Sequence, residues 1–86
     1  MSSEPPAIKA KYYEWVNEVF VSSPFDPKTG NLMGLVAALG SGYEGAVSYF
    51  YFSAKKAGAT EDELASAADI AAAASGLNVY AMLPKE

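Results

Sequence analysis

Residues 26–60 read DPKTGNLMGLVAALGSGYEGAVSYFYFSAKKAGAT, and the fold depends on how this stretch divides. Asp26-Pro27 is a helix start: the carboxylate can accept from N–H groups left free in the first turn, and proline fits the first position, where its missing N–H is not needed. Leu32, Leu35, Val36 and Leu39 then recur at helical spacing and predict one apolar stripe. Gly30 and Gly34 each weaken that helix by up to about 1 kcal/mol relative to alanine, so they are read as points where another helix comes close. Gly40, Ser41 and Gly42 break the pattern and form a tight corner. A further helix is expected from about Tyr43 to Ala57. Its centre, Tyr49-Phe50-Tyr51-Phe52, is aromatic on all sides, so this helix must be central, or central and interfacial. Lys55, Lys56 and Gly58 supply the cationic last turn and glycine stop of a helix C-terminus.

Downstream, Thr60-Glu61-Asp62-Glu63 has the pattern of a capping box, with extra acid at the positive end of the helix dipole. That structural role accounts for the acidic trio better than catalysis does. Leu64, Ala67, Ala68, Ile70, Ala71 and Ala74 continue as a helix whose alanines let neighbours pack close. Ser75-Gly76 ends it, and Leu77 to Leu83 is left for a short final helix or turn before Pro84. Upstream, Ser3, Glu4, Pro5 and Pro6 form a helix entry that closes a short tail over residues 1–6. Ile8, Tyr12, Trp15, Val16, Val19 and Phe20 make an amphipathic stripe, with Lys9, Lys11, Glu14, Asn17 and Glu18 on the wet side. Trp15 and its neighbours are read as core. The expectation is an all-α bundle of four to five helices, one domain over residues 1–86.

Composition narrows the function classes. At 86 residues a lone chain buries only about 60–65% of its unfolded surface and is marginally stable. With no cysteine and no histidine, neither a disulfide nor the usual zinc and iron sites can staple it. No cofactor is expected. Hydrophobic residues make up 51% of the chain, more than one small bundle readily hides, which points to a homo-oligomer. A formal net charge of −4 offers no basic stripe for phosphates or anionic lipid, so nucleic acid and membrane are not expected partners. No signal-peptide core and no apolar run of about 20 residues is present, and the expected location is cytoplasmic.

The run from Asp26-Pro27-Lys28-Thr29 through the small-residue helix, the glycine corner and the aromatic helix to AKKAGATEDEL resembles the carboxymuconolactone decarboxylase and alkyl hydroperoxidase D-like family. The similarity covers roughly residues 12 to 82, and its most specific piece is Ala54 to Thr60. The resemblance implies an oligomer, a trimer or a hexamer. In redox members two cysteines three positions apart open the third helix, a histidine follows four positions later, and a glutamate sits on the preceding helix. Such a pair cycles through a disulfide, with thiolates favoured by the helix N-terminus and protons moved by histidine and glutamate. By registration these positions fall on Tyr43, Ala46, Phe50 and Asn31, so all four are replaced.

The resemblance therefore implies a redox-inactive relative, a pseudoenzyme serving as an oligomeric binding or structural subunit. A partner protein or an apolar small molecule would sit at the former active corner, bounded by Asn31, Tyr43, Ala46, Tyr49 and Phe50. Peroxidase and disulfide chemistry are excluded by the missing thiols and imidazoles. Tyr43, Ala46, Val47, Phe50 and Ala54 share a helical face, so Tyr43 and Phe50 are read as filling the vacated volume. The alternative is a cofactor-free lyase or isomerase acting on a small carbonyl compound, with Tyr43 or Glu44 as acid or base.

Overall fold

The computed structural model describes residues 6–84. Among them the order is α1 (Pro6–Ser22), α2 (Pro27–Ser41), α3 (Glu44–Lys56) and α4 (Glu61–Ser75), followed by two short 3-10 turns, Gly76–Asn78 and Tyr80–Met82. No strand occurs among the described residues. The expected entry at Ser3, Glu4 and Pro5 lies outside them, and the last stretch forms turns rather than a fifth α-helix.

The helix boundaries follow from local chemistry. Asp26 caps α2, its Oδ1 accepting from the Thr29 N–H at 2.7 Å, which holds the Asp26 carboxyl below the usual carboxylate range. The helix ends at Gly42, whose φ of 77° is open to glycine at little cost. α3 stops in a Schellman motif: Ala59 donates to Ala54 O at 2.9 Å and Gly58 to Lys55 O at 3.0 Å, with Gly58 at φ 105°. The capping box of α4 is complete, Glu63 N–H donating to Thr60 Oγ1 at 3.1 Å and Thr60 N–H to Glu63 Oε1 at 2.9 Å.

α2, α3 and α4 form the packed unit. Its core is Leu35, Ala54, Leu64 and Ala67, with Leu32, Val36, Leu39, Val47, Phe50, Tyr51 and Ala59 packed against it. α2 and α4 run parallel. Lys28 Nζ at the start of one meets Glu63 Oε2 at the start of the other at 3.0 Å, and Gly40 and Ser75 adjoin at their far ends. That lysine pairing adds to the capping bond from Thr60 in holding the Glu63 carboxyl below its ordinary range.

α1 departs from the sequence reading. Ile8, Tyr12, Trp15 and Val19 are exposed, Trp15 by 59%, and only Val16 and Phe20 of the expected stripe are half-buried. The stripe is amphipathic as expected, but it is not core within one chain. The helix is anchored at its C-terminal end, where Phe20 packs on Phe50 with ring centroids 5.5 Å apart. The molecule is correspondingly long, 56 × 35 × 22 Å with a radius of gyration of 16.4 Å, against roughly 12 Å for a compact chain of this length.

Candidate functional site

The corner between α2 and α3 is shaped by Phe50. A Cβ added at Gly34 would lie 2.6 Å from both Cδ1 and Cε1 of the Phe50 ring, so the ring sits directly on the α2 backbone. Phe20 covers it on one side, and Tyr49 meets it edge-on at 5.0 Å. Gly30 serves the same packing, its missing Cβ facing Phe20 Cδ1 at 3.5 Å. Both glycines therefore allow close approach, and what approaches is a phenylalanine ring.

The remaining sequence-predicted residues are placed differently. Asn31 is half-buried, and its Nδ2 donates to Pro27 O at 2.8 Å, back along its own helix. Ala46 is half-buried on α3. Tyr43 is 69% exposed and stands before α3 as its N-cap residue, with no side-chain cap bond. The expectation that Tyr43 fills vacated interior volume is thus corrected: outside the helix proper, its ring lies over Gly45, near enough that a Cβ there would be 3.2 Å from its Cζ and Oη. Tyr49 is also largely exposed. Glu44 is exposed in the first turn of α3, where its charge complements the helix dipole.

No group of three or more carboxylates that could hold a metal ion occurs among the described residues. Nor is any helix there long and apolar enough to cross a membrane.

A cavity of about 620 Å³ lies elsewhere, in the groove between α2 and α4. Leu32, Met33, Val36 and Ile70 give it an apolar floor and wall, while Asp62 and Glu63 stand at one end. None of Asn31, Tyr43, Ala46, Tyr49 and Phe50 lines it. The groove was not singled out from the sequence, because Met33 lies off the stripe that seats α2 on its neighbours. Its half-exposure beside Ile70 follows only from the parallel pairing of α2 with α4.

The carboxymuconolactone decarboxylase family model matches residues 6–82. The chain belongs to that family. Among curated proteins and among solved structures, none matches the chain. The family match runs through all four α-helices and both final turns, so the exposed α1 is part of the matched unit.

Proposed function

We infer that this carboxymuconolactone decarboxylase family member is redox-inactive and works as an oligomeric subunit, structural or binding, rather than as a catalyst. The observation that carries the reading is the unpartnered apolar face of α1, with Ile8, Tyr12, Trp15 and Val19 all exposed on a helix that the packed unit does not cover. A contiguous apolar stripe of this kind marks a contact surface, and an 86-residue chain has few other sources of stability.

The corner supports the non-catalytic half of the reading. With no cysteine or histidine in the chain, thiol–disulfide exchange has neither nucleophile nor imidazole proton carrier. Phe50, at the position registered to histidine, is used for packing. Tyr43 and Glu44, the acid–base candidates of the lyase or isomerase reading, are exposed, and neither side chain makes a hydrogen bond among the described residues. The corner from Asn31 to Phe50 then offers a surface of rings and hydroxyls to a partner protein or an apolar small molecule. Native mass spectrometry of protein taken directly from its source tests the reading. Subunit multiples of 9.0 kDa, with or without a retained ligand, support it. Peroxide turnover dependent on a dithiol donor overturns it.

A further inference from the structure

Among the apolar surfaces that the described residues leave open, which include the final turns from Leu77 to Leu83, two are opposite in shape and do not meet within the chain. One is the convex stripe of α1, Ile8, Tyr12, Trp15 and Val19. The other is the concave groove between α2 and α4. We propose that the α1 stripe of a second copy docks in the α2–α4 groove; this rests on the assembly reading above and names the surfaces that make it.

Three observations support that occupant. The first is length. Ile8 to Val19 spans about 16 Å of helix at 1.5 Å per residue, and the groove runs from Thr29 to Ala37 on α2 and from Asp62 to Ile70 on α4, about 12 Å by the same rise. The stripe is long enough to span the groove from end to end and reach slightly beyond it.

The second is charge. At 100° per residue, Lys9 and Lys11 flank the N-terminal part of the stripe on either side, and neither forms an ion pair among the described residues. The groove is acidic at the end where α4 begins, with Asp62 and Glu63 on its lining. Glu63 is already shared with Lys28, while Asp62 is exposed and forms no ion pair among the described residues. Matching lysines to acid fixes the direction: the incoming α1 lies parallel to α2 and α4. Reversed, it would bring Glu18 towards Asp62 and leave the lysines only Asp69, which neighbours Ile70 but is not on the groove lining.

The third is area. The four stripe side chains, two of them aromatic and over half exposed, present roughly 500 Å², taking aromatic rings at about 150–250 Å² each. A reciprocal exchange engages two stripes and two grooves, four surfaces that together approach the roughly 1,200 Å² at which stable interfaces begin. Isologous symmetry permits such an exchange, since each copy offers both halves of the contact.

The absence of cysteine makes the test direct. Tyr12→Cys and Met33→Cys are made in separate preparations of the full chain, mixed and oxidised, while emission of Trp15, the single tryptophan, is followed on dilution. The proposal expects a mixed disulfide between the two variants and little self-cross-linking of either. In the wild type it expects Trp15 emission that shifts to the red as the assembly dissociates. Ile70→Glu, at an exposed groove position, should weaken association about tenfold or more by placing a charge under the stripe.

Several results overturn it. Self-cross-linking of Tyr12→Cys alone shows that α1 packs on α1. A blue-shifted Trp15 emission in a sample that has the mass of a single chain shows α1 folded onto its own groove. An oligomer without the mixed disulfide means that assembly stands on another surface, whereas a monomer without it removes the assembly reading as well. An apolar dye that fills the groove of the intact oligomer shows that the groove is kept for a ligand.

Discussion

Gly34→Ala is the perturbation that most sharply probes the filled corner, because two effects of opposite sign meet there. Alanine raises helix propensity by up to about 1 kcal/mol over glycine. Its methyl, however, would stand 2.6 Å from two atoms of the Phe50 ring, and overpacking of this kind costs about 1–3 kcal/mol. The ring cannot swing away freely, since Phe20 and Tyr49 hold it at centroid distances of 5.5 and 5.0 Å. The clash wins, for a net loss of about 1 kcal/mol, or roughly 4–8 °C in melting temperature for a domain of this size. In a Phe50→Ala background the clash is gone, and the same Gly34→Ala change should raise the melting temperature by several degrees. Thermal melts of the four proteins followed by circular dichroism, all in the same sucrose concentration to keep the weaker variants folded, read the sign in each background. Stabilisation by Gly34→Ala in the wild type, or an equal loss in both backgrounds, refutes the placement of Phe50 on α2.

Other consequences follow from the same packing. Leu35, 2% exposed at the centre of the core, should cost about 3 kcal/mol on change to alanine, a large share of the stability of so small a domain, and urea titration measures it. The Asp26 and Glu63 carboxyls are both held below their ordinary range. Groups with depressed folded-state values bind protons more weakly folded than unfolded, so their stabilisation is present above the unfolded carboxylate range and fades as pH falls through the folded one. Melting temperature should accordingly decline from about pH 5 downwards, and less steeply in Asp26→Asn, which keeps a capping oxygen without the charge. Tyr43→Phe should change stability by less than about 0.5 kcal/mol, as expected for an exposed ring without a hydroxyl partner. An activity that this variant abolished, found by substrate profiling, would instead support the acid–base reading.

The helices were legible because their ends carry strong local chemistry. Asp26-Pro27, the Gly58 stop and the Thr60–Glu63 box act over a few residues, and the structure uses each as read. The glycines at 30 and 34 also announced close contact, since glycine inside a helix needs a reason. Periodicity showed that α1 is amphipathic, but it could not show what covers the apolar side. A stripe that enters the chain's own core and one that stays outside it have the same spacing, and Trp15 is exposed here. Tyr43 was misplaced for a related reason. Extending the α3 face by one residue put it on the core side, whereas the helix begins at Glu44 and leaves Tyr43 outside. The α2–α4 groove was illegible because it exists only once two helices distant in sequence are paired in parallel.

The central claim, that this chain functions as an assembled subunit, is tested most directly by sedimentation velocity of the full chain at micromolar concentration, beside Trp15→Glu. The account predicts a wild-type species at a multiple of 9.0 kDa and a shift to the single-chain mass when a charge is placed on the α1 stripe. A wild type that sediments as a 9.0 kDa monomer would contradict it.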